Sequence, residues 1–400
     1  MYSIRNVNSD IVYIGIEDRR LHLFENLFPL DRGVTYNSYL IKDNRTALLD
    51  TVDQTVGRQF FENLEHALAG RPLDYLIINH MEPDHCALIE DVFRRYPDVI
   101  IVSSQKTFQM IGQFFTTAVP QDHRMIVNEG DELPLGKHTL TFMMAPMVHW
   151  PEVMFTFDKT DGILFSADAF GVFGTNNGNI FSSETDYKAK DFVDDARRYY
   201  SNIVGKYGLQ TQNALKKAAG MDIRMICPLH GPIWDQDLCY IINLYDKWSR
   251  YEPEDKAVAV FYNSVYGNTE SAVNAAAMLL GEKGVRNIKA YDVSKTDVSV
   301  MIAECFRVSN ILIAATTYNN GLFPKMEALI ADMKALTVRN RKYSIIENGS
   351  WAPQSGKIIQ AAFAEMKGME LVGTPLAIKS STFNYEALDQ LAEAIKNSLS

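Results

Sequence analysis

Apolar residues fall in two rhythms along this chain, and the change comes near residue 251. Before it, short apolar runs at Ile11–Ile16, Tyr39–Ile41, Ala47–Leu49, Leu76–Ile78, Val99–Val102, Leu140–Met144, Ile163–Ser166 and Met225–Cys227 read as strands. Helical spacing recurs at Gln54–Ala69, Asp191–Val204 and Leu238–Arg250. That mixture predicts an α/β sandwich of mixed sheets. After the polar, proline-containing stretch Tyr251–Lys256, strand and helix alternate regularly. Strands are expected at Val258–Tyr262, Asn287–Tyr291, Asn310–Ala314, Lys342–Ile346 and Glu370–Leu376. Helices Thr269–Lys283, Val298–Phe306, Lys325–Ala335 and Gly356–Lys367 separate them, and a last helix starts at Tyr385. Five strands divided this way predict a doubly wound parallel sheet. Two domains are expected, at 1–250 and 255–400.

Bulk properties narrow the class. At 400 residues the chain is too long for one ordinary core. A hydrophobic content of 47% and charged content of 22% are those of a soluble globular protein. No apolar run approaches the ~18 residues of a membrane span. The start, MYSIRNVNSD, lacks the apolar core of a signal peptide, so a cytoplasmic protein without a membrane partner is expected. The net charge of −10 divides into −9 over residues 1–251 and −1 over the rest. An acidic surface disfavours nucleic acid, and bound cations would offset part of the first region's excess. Cys86, Cys227, Cys239 and Cys305 form no C-x-x-C pair, which excludes a zinc ribbon or a rubredoxin-type iron site; they read as buried apolar thiols.

The densest chemistry is His80-Met-Glu82-Pro-Asp84-His85, which follows the apolar run ending at Ile78. Six residues carry four candidate ligands, enough for two metal ions. His149, Asp168 and His230 each follow a further apolar run, as ligands projecting from strand ends at one rim would. In this reading His80, Glu82 and His149 hold one ion, Asp84 and His230 hold the other, and Asp168 bridges. His85 stays open between a ligand and a hydrogen-bond partner of one. Glu82, where zinc would favour another imidazole, shifts preference toward iron. The remaining histidines, His22, His66, His123 and His138, read as surface or structural.

Three polar loops end strands of the second region. Ser264-Val265-Tyr266-Gly267-Asn268-Thr269 follows Val258–Tyr262 and opens a helix, where hydroxyls and backbone N–H groups can surround a phosphate. Without G-x-G-x-x-G or GK[ST] it suits neither a dinucleotide nor a nucleoside triphosphate; a monophosphate such as FMN fits. Thr316-Thr317-Tyr318-Asn319-Asn320-Gly321 and Glu347-Asn348-Gly349-Ser350-Trp351-Ala352 each offer small polar groups and one aromatic, suited to an isoalloxazine ring.

Together these motifs resemble the flavodiiron proteins (A-type flavoproteins) over nearly the whole length. His80-x-Glu82-x-Asp84-His85, His149-Trp150-Pro151, Asp168-Ala169-Phe170-Gly171, His230-Gly231 and the 264–269 loop carry the resemblance. It implies a metallo-β-lactamase-like αββα sandwich followed by a flavodoxin-like sheet. It also implies a di-iron site on His80, Glu82, Asp84, His149, Asp168 and His230, with FMN on the 264–269, 316–321 and 347–352 loops. The implied activity is reduction of O2 to water, of NO to N2O, or both. The implied electron donor is separate, a rubredoxin-like protein or a reduced deazaflavin, and the implied assembly is a head-to-tail homodimer or a dimer of dimers. Tyr199 resembles a tyrosine lining the family's substrate pocket. Val172-Phe173-Gly174 stands where many members have a histidine, so the resemblance does not set the preference between O2 and NO. Two other readings compete: a binuclear zinc hydrolase with a flavodoxin-like domain, and a non-catalytic electron carrier or gas sensor.

Overall fold

The structure, a computed structural model, describes residues 1–116 and 119–399. The chain forms two compact units, one of residues 1–200 and 207–246, the other of 201–206 and 247–400.

The first unit holds two large sheets. One runs Arg5–Asn6, Ile11–Tyr13, Tyr39–Lys42, Thr46–Leu49, Tyr75–Ile77, Ile100–Ser103, Arg124–Ile126. It is antiparallel through Thr46–Leu49 and parallel beyond, so Thr46–Leu49, Tyr75–Ile77 and Ile100–Ser103 end at a common rim. The other runs Glu132–Pro134, Thr139–Met144, Met154–Asp158, Ile163–Phe165, Met225–Cys227, with only its last pairing parallel. Side chains from both sheets interdigitate in one core, with Tyr39, Leu49 and Ile77 from the first meeting Phe142, Met154 and Phe165 from the second. This is two-layer sheet packing with helices in addition, the expected αββα class.

Local departures from the expected elements have physical causes. The run Ile11–Ile16 is two strands, Ile11–Tyr13 in the large sheet and Ile16–Asp18 paired with Val34–Tyr36. Gly15 sits at the break, where a Cβ would lie 2.6 Å from the Tyr36 carbonyl oxygen. Met154–Asp158 is a strand the pattern does not reveal, because Thr156 and Asp158 interrupt its apolar run while all five residues are buried. Both polar groups are partnered: the Thr156 hydroxyl donates to Asn79 at 2.7 Å, and Asp158 meets His138 at 2.9 Å. The helix expected over Asp191–Val204 is α-helical at Lys190–Tyr199 and continues as a π-helical turn at Tyr200–Val204. Cys86, Cys227 and Cys305 are buried, but Cys239 is exposed, on the solvent side of the first turn of helix Leu238–Ser249, which corrects the expectation for that thiol.

In the second unit the parallel sheet has the order Lys289–Asp292, Asp255–Tyr262, Val308–Thr316, Lys342–Asn348, Glu370–Leu371. The expected strand Glu370–Leu376 is divided, and Leu376–Ile378 pairs with the far end of Lys342–Asn348. The order 2-1-3-4-5 is that of flavodoxin-like sheets, with a crevice where the chain reverses direction across the first and third strands.

His138 joins the second sheet of the first unit to the start of the first sheet. Its Nδ1 lies 2.9 Å from Asp158 and its Nε2 3.2 Å from Asp10. Burial opposes the charged imidazole, but Asp158 and Asp10 raise its pKa above the ordinary 6.5. A raised pKa contributes stability that is complete below the unfolded value near 6.5 and fades as pH rises through the folded value. His138→Gln is therefore expected to lower the melting temperature more at pH 6 than at pH 9; an equal loss at both would contradict the ion-paired imidazolium.

Candidate functional site

Strand ends at the rim of the first unit deliver every metal-ligand candidate. His80 follows the strand Tyr75–Ile77, with Glu82 before and Asp84 and His85 inside the short helix Pro83–Cys86. His149 lies between Thr139–Met144 and Met154–Asp158, Asp168 after Ile163–Phe165, and His230 after Met225–Cys227. All but Asp84 are buried.

The residues form two groups. In one, His80, Glu82, His149 and Asp168 present ligand atoms within 4.8 Å of one another. Here Glu82 Oε2 is 3.2 Å from His80 Nε2 and 3.1 Å from His149 Nε2, and Asp168 Oδ2 is 3.1 Å from His149 Nε2. In the other, Asp84, His85 and His230 converge. The Nε2 atoms of His85 and His230 are 3.0 Å apart, and each is 3.3 Å from Asp84 Oδ2. Asp168 Oδ1 reaches this second group, 3.2 Å from His85 Nε2. One carboxylate thus faces both groups, one oxygen to each. The structure brings together all seven predicted candidates, and it turns His85 inward, where the sequence left two options.

The donor set suits a pair of cations. Both oxygens of Asp84 and Oδ1 of Asp168 are buried without a hydrogen-bond partner among the described residues, which native proteins rarely leave unless an ion serves them. Edges near 3 Å between N and O atoms match donors ~2 Å from a shared ion. Electrostatics agree. Burial pushes the Asp168 carboxyl up, yet His85, His80 and His149 hold it well below the usual range. Burial likewise disfavours charge on His149, but Asp168 and Glu82 lift it to about 9. A buried cluster that drives imidazoles to protonate has excess negative charge, which divalent cations neutralise.

Several supporting residues were not legible beforehand. Glu152, three residues beyond His149, accepts from His80 Nδ1 at 2.8 Å and from the Met81 amide at 2.8 Å. That bond leaves His80 Nε2 with its lone pair toward the site. His230 Nδ1 donates to the Thr35 carbonyl at 2.6 Å, with the same consequence. Asp50 accepts from the Asn79 amide at 2.7 Å, from the Asn79 side chain at 2.7 Å and from the His80 amide at 3.2 Å, fixing the turn that launches the ligand loop. The short spacing from His149 to Glu152 is a signal that could have found Glu152; nothing local marks Asp50 or Thr35.

An aromatic wall stands over His230. Tyr199 is fully buried with its ring 5.5 Å from His230 and its hydroxyl unpartnered among the described residues. Phe173 packs 5.1 Å from Tyr199 and 5.4 Å from Phe24, which lies 5.2 Å from His230. Gly171 permits the packing, since a Cβ there would meet the Tyr199 ring at 2.8 Å. In the hairpin turn after Phe24, burial and then the Glu82 carboxylate push the Glu25 carboxyl up to about 8.

In the second unit, the three predicted loops line one cleft of about 530 Å³. They are tied by hydrogen bonds: Thr269 to Thr316 at 2.9 Å between hydroxyls, and Asn348 Nδ2 to the Thr269 hydroxyl at 3.2 Å. Ser264, Val265, Tyr266, Asn268, Thr269, Thr316, Thr317, Tyr318, Asn319, Asn320, Asn348, Gly349, Ser350, Trp351 and Ala352 reach its wall. Gly267, Gly321 and Glu347 do not. Gly267 caps the helix Asn268–Glu282 at φ 89°, Gly321 closes a bridge with Tyr318, and Glu347 accepts from the Gly356 amide at 3.0 Å, turned to a helix start. Ser380, not anticipated, joins the wall, its amide bonded to Asn348 Oδ1 at 3.0 Å. The run of hydroxyls at Ser380-Ser-Thr, just past the strand Leu376–Ile378, was the available signal. The cleft suits a flavin mononucleotide. Asn263 Nδ2 and Ser264 Oγ are buried donors without partners among the described residues, beside a helix N-terminus, a setting for a phosphate, while Tyr266 (91% exposed) and Trp351 (89% exposed) are aromatics free to cover a ring.

The chain is similar to known proteins over most of its length. Residues 34–231 match the family described as ODP family beta lactamase. An uncharacterised protein of Methanocaldococcus jannaschii is 32% identical over 83% of this chain and 82% of its own length. The anaerobic nitric oxide reductase flavorubredoxin of Shigella dysenteriae is 30% identical over 86% of this chain and 72% of its own. Among solved structures, rubredoxin oxygen:oxidoreductase from Desulfovibrio gigas superposes with a TM-score of 0.92 at 26% identity, covering 99% of this chain and 98% of that one. A flavo-di-iron protein variant from Thermotoga maritima shares the fold at a TM-score of 0.91 and 22% identity, with both chains fully covered. With its paired ligand groups, its flavin-sized cleft and these relatives, the chain belongs to the flavodiiron proteins.

Proposed function

We propose that this protein is an oxidoreductase that reduces O2 to water, NO to N2O, or both, at a non-haem di-iron pair supplied with electrons through FMN. The carrying observation is Asp168, which presents one oxygen to each of two buried ligand groups. Bound iron supplies electrons and open coordination positions, and bound FMN relays electrons to it.

The side chains do the rest. His80, Glu82 and His149 would hold one ion and Asp84, His85 and His230 the other, with Asp168 available to both. Glu152 and the Thr35 carbonyl engage Nδ1 of His80 and His230, which aims Nε2 of each inward. Phe24, Phe173 and the Tyr199 ring exclude water from the His230 side. The Tyr199 hydroxyl is free to give a hydrogen bond to a bound diatomic. In the cleft, Ser264, Asn268 and Thr269 hold the flavin phosphate at the helix start, and the 316–320 and 348–352 loops hold the ring.

Residues 1–250 form the di-iron domain in this reading and 255–400 the FMN domain. The donor is a separate rubredoxin-like protein or reduced deazaflavin, the assembly a head-to-tail homodimer, and the compartment the cytoplasm. Among the described residues no helix is long and apolar enough to cross a membrane.

Anaerobically reconstituted protein is expected to carry iron and FMN and to consume O2 or NO when reduced; consumption of neither gas rejects the assignment. Metal analysis after reconstitution with competing iron and zinc separates it from a zinc hydrolase. Asp84→Ala should lose iron and gas consumption while the flavin absorbance stays intact, and retention of full activity would place the second ion elsewhere. Glu152→Gln keeps the shape but removes the negative partner of His80. Iron affinity should fall roughly 10- to 100-fold with FMN binding unchanged, as read by competitive chelation.

A further inference from the structure

Behind the metal ligands of the first unit lies a cavity that the reaction described above does not use. Val148, Phe155, Ala169, Phe170, Ala214 and Tyr245 form most of its wall, and no polar atom is exposed in it. Of the two hydroxyl residues in the wall, Thr211 donates to the Tyr207 carbonyl at 3.1 Å, and Tyr245 presents its ring, with no polar atom exposed to the cavity. A water-sized sphere can be centred over about 10 Å³ there, the room of a single small molecule. Water needs two to four polar partners and would find none, so the cavity is dry; apolar cavities of this kind take up xenon and similar gases.

Its position gives it a direction. Leu215 and Ala218, on the helix Gly208–Ala218, form a half-exposed outer lip. The inner end is fully buried, at Val148 (0% exposed) and Ala169 (3% exposed). Val148 immediately precedes His149, and Ala169 immediately follows Asp168. The apolar wall thus extends from a surface helix to residues that adjoin two ligands in sequence, and it carries no charged side chain. We propose that this cavity is a holding site for a small apolar diatomic gas, O2 or NO, and that it raises the local concentration of substrate beside the metal pair. The proposal rests on the gas-reductase reading for the identity of the gas, but the binding site itself does not.

Xenon tests the site without turnover. In crystals of the iron- and FMN-loaded protein under xenon pressure, density is expected between the helix Gly208–Ala218 and Phe170; a map without xenon there overturns the proposal. Ala214→Leu fills the cavity and should abolish that density. It should also lower kcat/KM for O2 and for NO several-fold, while kcat at saturating gas, iron content and FMN reduction stay unchanged. Ala218→Leu at the half-exposed lip makes the same test on a position where added bulk is easily tolerated. A fall for only one gas assigns the site to that gas, and unchanged kcat/KM for both in a xenon-free variant overturns the substrate role. Protein that binds xenon there yet consumes neither gas supports the apolar-gas site and sinks the reductase reading.

Discussion

A single buried carboxylate faces two groups of imidazoles and acids, and the rest of the first unit is arranged around it. Asp168 is fully buried, and a charge in that position is tolerated only with close partners of opposite sign. Its two oxygens point to different groups, so whatever neutralises one group is coupled to what neutralises the other. This sharing separates a two-ion centre from two unrelated sites. It also requires that three loops from one sheet and one from the other keep their positions to a fraction of an ångström.

That requirement shows in the backbone. Met147 (φ 64°), Ala167 (φ 47°) and Phe170 (φ 69°) occupy the left-handed region within two residues of a ligand, and so does Asp50 (φ 54°), which accepts hydrogen bonds from the turn that launches His80. Non-glycine residues pay on the order of 1–3 kcal/mol there and persist only where the surroundings over-determine them. The surroundings here are hydrogen bonds such as those from Asn79 and His80 to Asp50, and the two-sheet core beneath. Stability of the scaffold is thereby converted into precise aim of the ligands.

The flavin cleft follows another logic. It uses no buried charge; its three loops are held by hydroxyl and amide bonds among Thr269, Thr316 and Asn348, and its large aromatics stay exposed. A helix start and donors unpartnered among the described residues address a phosphate, while the exposed Tyr266 and Trp351 are free to cover a ring. One site is therefore sealed and charged and the other open and neutral, as suits ligands that must hold ions on the one hand and an electron relay on the other.

Most inner strands of the large sheets, the alternation after residue 251 and the candidate ligand types were legible in the chain, because each depends on neighbours in sequence: apolar period, strand-end loops, hydroxyl-rich turns; the short strands Arg5–Asn6, Val34–Tyr36, Arg124–Ile126 and Glu132–Pro134 were not. The seven metal-ligand candidates offered by those loops converge in two groups. The polar strand Met154–Asp158 was not legible, because its Thr156 and Asp158 are satisfied by Asn79 and His138, residues far away in sequence. Glu152, Asp50 and the Thr35 carbonyl were hidden for the same reason, and so was the inward turn of His85, which depends on Asp84, Asp168 and His230 meeting it. Local spacing determines which groups are offered and on which element. Which lone pair points where is decided only when elements distant in sequence pack together, since hydrogen bonds and charge act through space and not along the chain.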